Sequence, residues 1–73
     1  MGVLTLDQIA PDGLLIVVDW DAMQVGSSVF VPCIDTTEAL KQVGGIFDRR
    51  GWAMRVRIAP EKGIWGVRVW RRT

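Results

Sequence analysis

Cys33 is the lone thiol of a chain that has no histidine. A thiol nucleophile needs a neighbouring base, and a zinc site needs more ligands than one cysteine supplies. Directly after Pro32, Cys33 reads as a small hydrophobe at a strand end. Asp19 and Asp21 could in principle do paired acid–base work, but they stand among connector residues expected to be solvated, and so small a chain is not expected to form a cleft around them. Gly44-Gly45 falls inside a helical pattern and not at a helix N-terminus, so it does not form a phosphate-cradling loop. The sequence therefore predicts no catalytic, metal-binding or cofactor-binding residue, and points away from an enzyme.

Arginine and tryptophan carry the more informative pattern. Four Trp in 73 residues, with no Tyr, exceed what a small core easily absorbs. These two residue types are enriched at binding hot spots and suit stacking and phosphate contacts on single-stranded nucleic acid. Most of them fall in Trp52-Ala53-Met54-Arg55-Val56-Arg57-Ile58-Ala59 and Ile64-Trp65-Gly66-Val67-Arg68-Val69-Trp70-Arg71. Both runs alternate apolar with polar residues, the period of a half-buried strand. Pro60-Glu61-Lys62-Gly63 between them provides the turn, so the pair reads as a β-hairpin. Trp52, Met54, Val56 and Ile58 share one face of it with Trp65, Val67 and Val69. Arg55, Arg57, Arg68, Trp70 and Arg72 share the other. Trp52 and Trp65 are expected in the core. Trp70 is expected either to cap a sheet edge or to stand in the cationic face.

The elements that position this hairpin can be read in chain order. Residues 1–13 end in Pro11-Asp12-Gly13 and read as a flexible arm, with one turn of helix around Leu6 to Ala10. A single small α+β domain is expected over 14–73. Leu14-Leu15-Ile16-Val17-Val18 is rich in β-branched residues and reads as a buried strand or as part of an arm that docks on something; it is expected to be paired or covered, since an open strand of this kind aggregates. It is far shorter than the ~20 residues of a membrane span. Asp19 to Gln24 reads as a connector. Val25 to Val31 forms the next strand, with Gly26 as a bulge or bend and Pro32 as its stop.

Asp35-Thr36-Thr37-Glu38 is a capping box: Asp35 accepts from first-turn amides and Glu38 reaches back to the cap's own amide. Ala39, Leu40, Val43, Ile46 and Phe47 then recur on one helix face, and Gly51 supplies the left-handed C-cap after Arg49 and Arg50. Gly44-Gly45 should cost this helix roughly 1.5–2 kcal/mol relative to two alanines. Close packing of the helix on the sheet or a bulky Trp is the preferred compensation, with a partner's approach as the alternative. The fold class is α+β: one helix on an antiparallel sheet of three to four strands, ordered (β)-β-α-β-β.

At this length one domain is the limit, and the chain buries only ~60% of its unfolded surface. A lone thiol without a secretory leader suggests the cytoplasm. The net charge of +1 conceals a split. Residues 1–40 carry Asp7, Asp12, Asp19, Asp21, Asp35 and Glu38 with no Lys or Arg, a sum of −6. Residues 41–73 carry nine basic side chains against Asp48 and Glu61, a sum of +7. Such asymmetry either orients the molecule in a partner's field or is consumed by internal pairing.

The run Asp21-Ala22-Met23-Gln24-Val25-Gly26-Ser27-Ser28-Val29-Phe30-Val31-Pro32, with Gly66-Val67-Arg68-Val69-Trp70-Arg71, resembles small proteins of tailed bacteriophages. In length and arrangement the whole chain is similar to the small transcription regulators of lytic Xanthomonas phages. The resemblance implies a phage protein, acting without a cofactor in the host bacterial cytoplasm, that binds host RNA polymerase. It implies contacts at the β′ N-terminal region and near the β flap, beside the RNA exit channel, with nascent RNA nearby. Initiation would be inhibited by σ displacement, and antitermination promoted by hindering hairpin formation in exiting RNA. No contact residue is carried over from that family. The residues themselves point to Arg49, Arg50, Arg55, Arg57, Arg68, Trp70, Arg71 and Arg72 as the partner-binding set on a monomer. An exposed strand edge, Val29 to Pro32 or Val67 to Arg71, is a further docking element. A small nucleic-acid-binding module using the basic sheet face directly is the alternative function, weakened by the acidic first half.

Overall fold

The computed structural model describes residues 8–73. The elements are β1 (Gln8–Ile9), β2 (Ile16–Val17), a 3-10 turn (Trp20–Ala22), β3 (Ser28–Pro32), α1 (Thr36–Arg50), β4 (Met54–Ile58) and β5 (Gly66–Arg71). One three-stranded antiparallel sheet has the order β3-β5-β4, and β1 pairs with β2 in a separate two-stranded ribbon. The α+β class with one helix over an antiparallel sheet holds. Ile16 and Val17 are paired, but in that ribbon and not as a fourth strand of the main sheet.

Local chemistry explains α1. Asp35 accepts from the Glu38 amide at 3.0 Å, and Gly51 closes the C-terminus at φ 70° with its N–H on the Asp48 carbonyl. Glu38 does not complete the capping box. Its carboxylate accepts from Gln42 Nε2 instead. The Asp35 amide is satisfied from farther away: Asp12 accepts from the Ile34 and Asp35 amides at 2.7 and 2.8 Å.

That bracket, with the Ala10 amide donating to Gln42 Oε1 at 2.7 Å, fastens residues 10–12 to the helix. Ile9 and Pro11 are buried. The folded unit thus begins before residue 14, and residues 8–13 belong to it. The proposed helical turn fails at Gln8-Ile9, which are strand, while its start and the rest of the expected arm lie outside the described residues.

The helix-side face of the sheet presents Val31, Val67 and Val69 to Ala39, Val43, Ile46 and Phe47. The tryptophan at the centre of this core is Trp20, expected to be a connector residue. Its ring meets Phe47 edge-on at 6.0 Å, and Phe47 in turn meets Trp52 edge-on at 5.7 Å. Each such pair adds about 0.5–1.5 kcal/mol beyond area burial. Trp52 is half-buried, whereas Trp65, also expected inside, is 46% exposed. Trp65 sits one residue ahead of β5, at the end of the sheet away from the Phe47–Trp52 pair.

Close approach is not what places glycine at 44 and 45. A Cβ at Gly44 would lie 3.6 Å from Met54 Cε, and one at Gly45 3.5 Å from Arg49 Nη1, both ordinary contacts. The glycine that the packing does require is Gly66. A Cβ there would collide with the Val31 carbonyl oxygen and stand 2.7 Å from Phe30 Cζ and 2.9 Å from Pro32 Cα.

Candidate docking surface

Period-two alternation on three strands builds the outer sheet face. The register aligns Ser28 with Trp70 and Phe30 with Arg68 across β3 and β5. It aligns Arg55 with Trp70 and Arg57 with Arg68 across β4 and β5. Ser28, Trp70 and Arg55 therefore form one row, and Phe30, Arg68 and Arg57 the next. Two cations lie over aromatic rings: Arg55 Cζ is 5.6 Å from the Trp70 centroid, and Arg68 Cζ is 5.7 Å from that of Phe30. Phe30 was not among the expected docking residues, although its alternation with Val29 and Val31 already set it opposite the core.

The charges of this face are not equally available. Arg68 holds Glu61 in a fork, Nε to Oε2 at 2.7 Å and Nη2 to Oε1 at 2.6 Å, and donates through Nη1 to Ser28 Oγ at 2.7 Å. This pairing pushes the Glu61 carboxyl below its usual range, chiefly through the Arg68 hydrogen bond, with added pull from Arg68, Arg57 and Lys62 as charges. The same bond raises the Arg68 guanidinium. Arg55 and Arg57 are exposed, and neither forms an ion pair among the described residues. They are the accessible cations of the face.

The remaining expected residues lie elsewhere. Arg71 is on the helix side of β5, where its Cζ stacks 3.7 Å from the Trp52 centroid and its Nη1 donates to the Met23 carbonyl at 2.7 Å. Arg50, at the C-terminus of α1, pairs with Asp21 at 3.0 Å and lies 5.5 Å from the same Trp52 ring. Arg50 and Arg71 thus clamp Trp52 and tie residues 21–23 to the sheet and helix. They are placed for structure, not for the cationic face. Arg49 stands beside Arg50 on the helix, and Arg72 is exposed just past β5, its amide donating to the Ala53 carbonyl at 2.9 Å. The Asp21–Arg50 pair joins the acidic and basic halves of the chain, so part of the charge split is consumed internally.

The strand edges also differ from expectation. Val67 to Arg71 is central and paired on both sides, so it offers no edge. The edges are β3 and β4. The Ala53–Arg72 and Ala59–Gly66 pairs carry ladder bonds of 2.9 and 3.1 Å. Antiparallel alternation then turns the backbone of Arg55 and Arg57 toward β5 and that of Met54, Val56 and Ile58 outward. By the same rule, bonds from Arg71 N to Ser27 O and from Cys33 N to Trp65 O leave Ser28, Phe30 and Pro32 facing outward on β3. Val56 and Ile58 share the helix-side face with Val67 and Val69, yet they are 37% and 44% exposed, because the layer above the sheet covers Met54 and stops short of the rest of β4.

Cys33 packs in the core, its thiol pushed up by burial and then by Asp12 and Asp35. No helix among the described residues is long and apolar enough to cross a membrane. Comparison with protein-family models, curated proteins and solved structures gives no significant match for the chain.

Proposed function

We propose that this chain is a phage-encoded regulator without enzymatic activity that docks on host bacterial RNA polymerase in the host cytoplasm. It inhibits initiation by displacing σ and promotes antitermination beside the RNA exit channel, acting as a monomer and without a cofactor. The observation that carries the reading is the open outer sheet face, where Arg55 projects beside Trp70 and Arg57 beside Arg68, neither of the two in an ion pair among the described residues. Exposed, unpaired guanidinium groups next to an aromatic ring suit an acidic protein surface. The resemblance of residues 21–32 and 66–71 to small phage proteins, and of the whole chain in length and arrangement to phage transcription regulators, supplies the partner. Contacts at the β′ N-terminal region and near the β flap, with nascent RNA close by, belong to the same proposal.

Capture of purified bacterial RNA polymerase by the tagged chain tests it. The enzyme should be retained, and Arg55→Ala with Arg57→Ala should weaken retention at least about tenfold while the fold persists, as surface changes move stability by only about ±0.5 kcal/mol. If the wild-type chain retains no polymerase subunit, the reading fails.

Phe30 and Trp70, each beside an arginine on one sheet face, favour a second reading, direct binding of single-stranded nucleic acid by base stacking. Salt separates the two. Affinity for an oligonucleotide would fall steeply with ionic strength, in proportion to the phosphates contacted.

A further inference from the structure

The geometry points to β4 as an acceptor edge that takes an extended, antiparallel segment of a partner protein in which apolar residues alternate with acidic ones. The inference rests on the reading of this chain as a docking protein and names what the partner must present. Met54, Val56 and Ile58 turn their amides and carbonyls away from β5, and no other strand among the described residues meets them. An added strand gains ladder bonds there and specificity from its alternate side chains.

The side chains define the occupant. Residues of an added strand opposite Met54, Val56 and Ile58 fall on the helix-side face. There Val56 and Ile58 stand 37% and 44% exposed, with Trp65 at 46% near the same end of the sheet. Apolar partners complete that incomplete layer. Residues opposite Arg55 and Arg57 fall on the outer face, beside two guanidinium groups without carboxylate partners among the described residues, so carboxylates fit. Pairing with a second copy of this chain is disfavoured, since antiparallel β4 strands centred on Val56 would bring Arg55 and Arg57 of both copies together on one face. The β3 edge lacks these features. Pro32 offers no donor, and Val29 and Val31 turn their side chains into the fold.

The test uses the isotope-labelled chain and the synthetic peptide acetyl-Ser-Val-Glu-Val-Glu-Val-Ser-amide, followed by amide chemical shift and hydrogen exchange. Saturable shifts and slowed exchange are expected at the amides of Met54, Val56 and Ile58. N-methylation of the central valine should weaken binding about tenfold by removing one ladder donor and crowding the edge. N-methylation of either glutamate, whose N–H points away, should leave most of the affinity. The Arg55→Glu, Arg57→Glu variant should lose this peptide and accept its lysine counterpart, acetyl-Ser-Val-Lys-Val-Lys-Val-Ser-amide. Three results would overturn the inference: shifts confined to Phe30 and Trp70, indifference to N-methylation of the central valine, or protection of the β4 amides by self-association without peptide. Polymerase capture is a separate measurement. Retained polymerase with no peptide binding removes the edge inference alone, whereas absent capture removes the reading beneath it.

Discussion

The two edges of the sheet flank the same central strand yet differ in everything beyond their backbone ladders. On β3, Val31 is fully buried and Val29 packs against the core, Gly66 lets the chain pass close beneath Phe30 and Pro32, and Pro32 blunts the outer side. On β4, Val56 and Ile58 occupy equivalent helix-side positions and remain exposed, and nothing blunts the edge except the charge of Arg55 and Arg57. Alternation alone does not distinguish them. What does is the layer above: α1 and the segment from Ile9 to Met23 roof β3, β5 and the Met54 end of β4, and leave Val56 and Ile58 projecting. One edge is invested in the fold, and the other stays open.

The sharpest way to break that contrast is Gly66→Ala. Two of the three atoms its Cβ would meet belong to the β3 backbone, the Val31 oxygen and Pro32 Cα, so relief requires moving the strand itself. A loss of about 3 kcal/mol is expected, at the upper end for overpacking. Urea denaturation reads it as a lowered midpoint. An unchanged midpoint would mean that β3 is not held as tightly as its burial implies.

A matched pair of substitutions sharpens the comparison. Val31→Thr places a hydroxyl in the core without a partner and should cost about 2 kcal/mol. Val56→Thr makes the same atomic change where water reaches the side chain, and should alter stability by under about 0.5 kcal/mol. Equal losses in the two denaturation curves would erase the distinction between the edges.

These differences also mark where sequence reasoning stops. Asp35, Gly51 and the Ala39–Phe47 stripe obey rules that act within a few residues, so α1 was legible at both ends. The grouping of Arg55, Arg57, Arg68 and Trp70 on one face was legible for the same reason, because the side-chain period of a strand is local. Strand order is not local. Nothing in Val67 to Arg71 announces that both sides are paired, so a central strand reads as an edge. Trp20 reads as a connector residue because it enters the core from a 3-10 turn with no periodicity around it. Arg71 and Arg68 look alike in sequence, but one is bound to Met23 and Trp52 and the other to Glu61, contacts fixed only by the tertiary register. Asp12 likewise takes over half of the capping role expected of Glu38 from 23 residues away.

Gly44 offers a gentler test of the roof over β4. The space beside it admits a methyl group at 3.6 Å from Met54 Cε, so Gly44→Ala should gain about 0.5–1 kcal/mol from helix propensity. For a domain of this size that is a rise in Tm of roughly 3–6 °C. The methyl also tightens contact between α1 and the first residue of β4. Should Tm fall instead, the helix must sit closer to that strand than the contact distance allows.

The smallest effect belongs to Glu61, and it concerns how cationic the face beside β4 is. Its folded-state carboxyl is held below the ordinary value by the Arg68 hydrogen bond, then by the charges of Arg68, Arg57 and Lys62. A depressed carboxyl contributes stability that is present above its unfolded-state pKa, about 4.3, and is lost as pH falls through the lower folded-state value. Between neutral pH and that point Glu61 stays ionised and Arg68 stays engaged. Below it the fork is broken and the outer face gains one positive charge. Carbon-detected titration of the Glu61 side chain should therefore give a midpoint below that of an unpaired glutamate, moving upward in Arg68→Ala. A midpoint at the ordinary value would mean that the fork opens in solution, and Arg68 would then join Arg55 and Arg57 as an available cation, extending the proposed docking face inward from β4 to β5.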